Sequence, residues 1–147
     1  MSIKSIGKLL LAAALLLPAF SALAAEVGQF KTAKGEVYIE RGKQRIAAAV
    51  GTPVQATDVV HTGKTGSAGI TFIDNSRMAL GPGSVLAIDR FEFNQTTHEG
   101  HFDSTLRRGT LSAVSGKVAH HSPDAMTVRT RSTILAVRGT EFLVSTK

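Results

Sequence analysis

Short alternating segments, separated by turn-forming residues, constrain the fold of this chain more than any other feature. Within residues 67–80, Ala68, Ile70 and Phe72 fall on one face with a period of two, which is the spacing of a half-buried β-strand. Asp74-Asn75-Ser76 then forms a polar turn before the alternation resumes, which predicts a β-hairpin. About ten such segments, spaced roughly 8–12 residues apart, predict one all-β domain, either a twisted sandwich or a short β-solenoid.

The remaining segments follow the same pattern of short strands separated by turn-forming residues. We interpret Gln44–Val50 as a strand edge or one helical turn, Asn94–Asp103 as a long hairpin loop and Arg108-Gly109 as a turn. No linker or charge run divides the chain, which indicates a single domain. The other predicted strands lie at 36–40, 58–61, 85–88, 91–93, 104–107, 110–114, 116–120, 126–131, 134–137 and 141–145.

The N-terminal residues have the pattern of a secretory signal peptide. Two lysines precede the apolar run Leu9–Leu17, and Ala22-Leu23-Ala24 supplies the small residues that a signal peptidase recognises. The run is shorter than the roughly 20 residues that a membrane-spanning helix needs. We therefore predict that residues 1–24 are removed between Ala24 and Ala25, or one residue later. The mature protein would be periplasmic, without a transmembrane anchor, where cellular ATP, nucleotide cofactors and the chromosome are absent.

Composition limits the partners of the mature chain. The sequence has no cysteine, so that packing must stabilise it without disulfides. After removal of the signal, 15 Lys and Arg stand against 11 Asp and Glu. In the periplasm this excess favours anionic envelope material, such as lipopolysaccharide or acidic glycans, over nucleic acid. The charges are scattered, so a mildly basic solvated surface also explains them.

Enzyme motifs are incomplete in this sequence. Gly116-Lys117 lacks both the earlier glycine and the following Ser or Thr of a phosphate-binding loop, since Leu111 and Val118 occupy those positions. Gly83-Ser84-Val85 lacks the second glycine of a nucleophile elbow. We therefore predict a protein with no catalytic residues and no cofactor.

Three of the five histidines could come together as metal ligands at one end of a β-domain. His98 and His101 share one polar segment, and His120-His121 lie near another turn. Adjacent residues in a strand point to opposite faces, so at most one of the latter pair would join a site. His61 lies apart in a short apolar segment. We expect polar loop residues and no bound zinc or iron.

Five segments between residues 51 and 144 resemble the FecR domain, a periplasmic family named after the ferric-citrate regulator. They occur in the family's order, and the closing run, which matches "V-R-G-T-x-F-x-V", is the most specific. The matching segments are Gly51–Val54 with Ala56–Gly63, Gly66–Ser76, Leu80–Leu86, Leu106–Leu111 and Thr130–Val144. Residues 25–50 would then be N-terminal strands of the mature domain, and 51–144 its FecR-like part.

The motif residues of this resemblance have mainly architectural explanations. Glycines at the motif positions suit turns with φ > 0 or a close backbone approach, and the motif Asp and Thr suit hydrogen bonds within turns. Arg138 would either clamp a bend at Gly139, through a carboxylate such as Glu141 or Asp58, or face a ligand; Phe142 beyond the bend would be buried. The motif residues are Asp58, Thr62, Gly63, Gly81, Gly109, Arg138, Gly139, Thr140 and Phe142.

This chain departs from the best-known members of the family. It has neither their cytoplasmic sigma-factor-binding segment nor their transmembrane helix, and Thr57 stands where the family usually has glycine. The resemblance therefore implies a non-enzymatic sensing or binding module in the envelope, acting on an envelope protein or a ligand. Two alternatives stay open: a glycan- or lipopolysaccharide-binding module, and an accessory subunit of a membrane receptor that docks by a sheet edge. The sequence does not determine the oligomeric state.

Overall fold

The computed structural model describes residues 24–138 and 141–147. The predicted signal peptide, apart from Ala24, and the motif residues Gly139 and Thr140 lie outside the described residues. Within the described ranges, no helix has the length and hydrophobicity to cross a membrane.

The prediction of an all-β fold is confirmed. Twelve strands and one short helix account for the regular structure of the described residues. They are β1 (Glu26–Lys34), β2 (Val37–Arg41), β3 (Gln44–Ala47), β4 (Pro53–Gln55), β5 (Val59–Thr62), β6 (Ser67–Phe72), β7 (Arg77–Leu80), β8 (Val85–Phe93), β9 (Gly100–Val114), α1 (Lys117–His121), β10 (Met126–Arg129), β11 (Ile134–Ala136) and β12 (Glu141–Thr146).

The strands form one curled sheet whose two halves share β9. The N-terminal part of β9 lies between β8 and β10, and this first half-sheet continues from β8 through β5 and β2 to β3, and from β10 to β11. The C-terminal part lies between β7 and β12, and this second half-sheet continues from β7 through β6 and β1 to β4. All pairs are antiparallel except β9 with β10. The resulting shape is a half-barrel.

The core lies on the concave side, where the strands of both half-sheets direct alternate apolar residues. Phe72 comes from β6, Phe91 from β8 and Phe102 from β9, and their ring centroids are 4.6–5.6 Å apart. Aromatic rings at such distances attract each other beyond the effect of burial. This trio therefore joins the two half-sheets directly.

Two sequence predictions about local structure are wrong. Residues 116–120 are predicted as a strand, but residues 117–121 form helix α1. Buried Asp74 accepts the first amide hydrogens of this helix: its carbonyl binds the Lys117 N–H at 2.8 Å and its carboxylate the Val118 N–H at 3.3 Å. Arg108-Gly109 is not a turn between strands but an internal part of β9.

The polar loop is shorter than predicted, and the ambiguous segment is a strand. β8 continues through Phe93 and β9 begins at Gly100, so that only residues 94–99 connect them. Asn94 closes this loop by accepting the amide hydrogens of Thr96 and Thr97. The segment Gln44–Ala47 pairs with β2 as an edge strand and has no helical turn.

Candidate functional site

Three motif segments meet where β9 passes from one half-sheet to the other, at a place we call the corner. Thr62 is buried; its hydroxyl donates to the Gly81 carbonyl at 2.7 Å and accepts from the Ser84 N–H at 2.9 Å. The Ser84 hydroxyl in turn accepts from the Thr110 N–H at 3.0 Å and lies 2.8 Å from the Gly81 carbonyl. These bonds satisfy buried polar groups and tie β5 to β9. The corner is a structural junction.

The three motif glycines before β10 have different conformations. Gly109 has φ +93°, and a Cβ there would lie 2.5 Å from the Ser84 Cα, closer than any real contact. A Cβ on Gly63 would lie 2.9 Å from the Glu36 Cβ, while its N–H donates to the Glu36 carbonyl. Gly81 lies outside the left-handed region, and its Cβ would make an ordinary 3.5 Å contact. Of these three glycines, Gly109 alone combines a positive φ with a close backbone approach.

Asp58 is fully buried and held by an arginine that the sequence did not single out. The Arg41 guanidinium donates to both carboxylate oxygens, at 2.9 and 2.8 Å, and the Gln55 N–H donates at 2.8 Å. The hydrogen bonds to the Asp58 carboxylate raise the pKa of Arg41 above its ordinary value. Thr57, in place of the family's usual glycine, has φ +72°, a conformation in which a β-branched residue is strained. No local pattern linked Arg41 to Asp58, because 17 residues separate them.

Arg138 binds a different partner from those expected. Its guanidinium donates to both carboxylate oxygens of Asp124 at 2.9 Å, rather than to Glu141 or Asp58. The ion pair lowers the pKa of Asp124 and raises that of Arg138. The Arg138 side chain is 69% exposed, so the pair fixes the turn before β10 from outside.

The closing motif forms an edge of the second half-sheet. Phe142 is only partly buried, contrary to the expected full burial, whereas Val137 and Val144 belong to the core. Leu143, on the opposite face of β12, is 72% exposed. Among the described strands, β12 pairs with β9 alone, so that its outer backbone edge is open.

The histidines do not form a cluster. Within the part of the chain that the structure describes, no three His, Cys, Asp or Glu side chains are placed to hold a metal ion. His98 stacks on Phe93, and the His120 Nε2 lies 3.3 Å from the Ser115 hydroxyl. That the purified protein carries no zinc or iron stays a prediction.

A groove beside the corner combines cationic and hydroxyl-bearing side chains. It encloses about 460 Å³, and β2, β5, the turn after β5 and the middle of β9 contribute to its walls. The residues that define this basic groove are Glu36, Tyr38, His61, Lys64, Thr65 and Arg108. Sequence analysis did not predict it, because its residues come from distant segments.

The family model described as "FecR protein" matches residues 58–147. The chain belongs to the FecR family. No curated protein and no solved structure matches it. Strands β1 to β4 precede the matched region, yet β2 pairs with β5 and β1 pairs with β6. They complete the FecR sheet on both sides, and membership in this family associates the protein with signalling in the cell envelope.

Proposed function

We propose that this protein is a non-enzymatic periplasmic module that acts in envelope signalling by contact with another envelope component. Two observations support the proposal: the family is one of regulators rather than enzymes, and the N-terminal sequence has the pattern of an export signal. The buried polar side chains Asp58, Thr62 and Ser84 are engaged in hydrogen bonds that support the fold. These side chains therefore stabilise the fold rather than take part in a reaction.

The single observation that carries the proposal is the open edge of β12. An unpaired strand edge is a template for a strand from another chain, and exposed Leu143 provides an apolar contact on its outer face. The edge belongs to the closing FecR motif, so the segment most specific to the family also offers an open strand edge to a partner.

Export is tested first. Protein recovered from a periplasmic fraction should begin at Ala25 or Glu26 on N-terminal sequencing. Full-length protein with Met1 in the cytoplasmic fraction would contradict the proposed location.

Partner contact is tested by crosslinking and pull-down from envelope extract. Leu143→Lys places a charge on the proposed contact face and should abolish capture of a protein partner. Val50→Lys is the matched control, because Val50 is 68% exposed and lies between β3 and β4, two strands that do not pair with β12. Equal capture by both variants would refute docking through this edge, provided that their melting temperatures match the wild type.

A further inference from the structure

We infer that the basic groove binds an anionic sugar, a pyranose that carries a phosphate or a carboxylate. This inference rests on the proposed function only in treating the domain as a binding module, since the groove is separate from the β12 edge. The volume of about 460 Å³ falls within the range of small-ligand sites.

Two cations in the groove are available to a ligand. Lys64, in the turn after β5, makes no hydrogen bond or ion pair with the described residues. The Arg108 Nε donates to the Gly83 carbonyl at 3.1 Å, which positions the guanidinium while its terminal nitrogens keep their hydrogen-bonding capacity. Arginine and lysine are the side chains that bind phosphate and carboxylate groups most strongly. The groove is therefore complementary to an anion.

The acidic residue of the groove does not cancel this charge. The Glu36 carboxylate accepts from the Arg45 guanidinium at 2.6 Å, so its charge is already balanced. The same guanidinium lies 3.6 Å from the centroid of the Tyr38 ring, and His61 stacks on this ring at 4.5 Å. Cation–π and stacking contacts hold this wall in one arrangement. The net charge of Lys64 and Arg108 remains for a ligand.

The remaining polar groups of the groove favour the binding of a sugar over that of a bare anion. Tyr38 and Thr65 line the groove, and their hydroxyls have no hydrogen-bond partner among the residues described. Together with the Glu36 carboxylate they offer donors and acceptors to the hydroxyls of a sugar ring. Inorganic phosphate would contact only the cations and would leave these groups unused. A sugar with one anionic substituent uses both kinds of group.

The test is an NMR titration of the mature protein with glucose 1-phosphate, glucuronic acid, glucose and inorganic phosphate. We expect the two anionic sugars to shift the amide signals of Lys64 and Thr65 with dissociation constants of about 1 mM. Glucose and phosphate should each bind about tenfold more weakly. The comparison of the two sugars identifies which anionic group the site prefers.

Variants test the placement of the ligand. Lys64→Ala and Arg108→Gln should each weaken binding about tenfold. Arg107→Gln is the matched control: it removes the same charge from the adjacent exposed position, which does not line the groove, and should bind as wild type. Equal loss in Arg107→Gln and Arg108→Gln, or equal affinity for phosphate and glucose 1-phosphate, would overturn the inference. Either result would leave partner capture through β12 unaffected, so the two proposals fail separately.

Discussion

Replacement of Gly109 by alanine tests the corner most directly. At φ +93° a Cβ costs about 1–2 kcal/mol in backbone strain. The new atom would also displace Ser84, whose hydroxyl bonds the Thr110 N–H and the Gly81 carbonyl. Each lost hydrogen bond costs about 0.5–1.5 kcal/mol. The total of about 2–5 kcal/mol is a large part of the 5–15 kcal/mol typical of a domain. Thermal unfolding followed by circular dichroism should show a melting temperature lower by about 10–20 °C.

Alanine substitutions at two other glycines distinguish backbone strain from steric conflict of the added Cβ. Gly42 has φ +60°, and no atom lies within 4 Å of the added Cβ. Gly42→Ala therefore introduces backbone strain without a steric conflict, and the lower entropy of the unfolded chain partly offsets that strain. The free energy of unfolding should fall by at most about 1 kcal/mol. Gly81→Ala has neither problem and should melt within a few degrees of wild type. If Gly109→Ala melts like Gly42→Ala, the close approach to Ser84 does not exist in solution and the described corner is wrong.

Further predictions concern the two arginine–carboxylate pairs and the strained turn. Thr57→Gly should raise the free energy of unfolding by up to about 1 kcal/mol in urea titrations, because relief of strain exceeds the entropic cost of glycine. Arg41→Ala should lower it by about 3 kcal/mol, since it leaves the buried Asp58 carboxylate without its counter-charge. Arg138→Ala should change the melting temperature little at pH 7 because the pair is exposed and screened by solvent. Because the ion pair lowers the pKa of Asp124, its small contribution to stability is fully present at pH values above 3.8, the ordinary pKa of the carboxyl group. The contribution is lost as the pH falls through the lower pKa of the folded state. Melting curves of wild type and Arg138→Ala should therefore converge in acid.

Local alternation was enough to predict the strands that have one buried face. Ala68, Ile70 and Phe72 are all buried on β6, and the hairpin to β7 turns at Asn75, which has φ +67° as a polar turn residue tolerates. These features depend on neighbours a few residues apart, which is why the sequence pattern reports them.

Long-range contacts determine the features that local patterns missed. Gly109 bends a strand rather than ending one, and only its approach to Ser84 on a distant turn distinguishes the two cases. Residues 117–121 become helical because Asp74, more than forty residues away, binds their first amides. The basic groove likewise exists only after β2, β5 and β9 are assembled. Contacts between residues far apart in the chain leave no period in the sequence.

The shared strand β9 has a consequence for the order of folding. Until residues 100–114 are available, the edges of β8 and β7 both lack their partner, and neither half-sheet can close over the aromatic trio. Pairing between strands distant in sequence is slow compared with hairpin formation. Until β9 pairs with them, the open strand edges are prone to aggregation. Once β9 is in place, opening either half removes support from the other, and calorimetry should register a single unfolding transition. The two half-sheets therefore unfold as one cooperative unit.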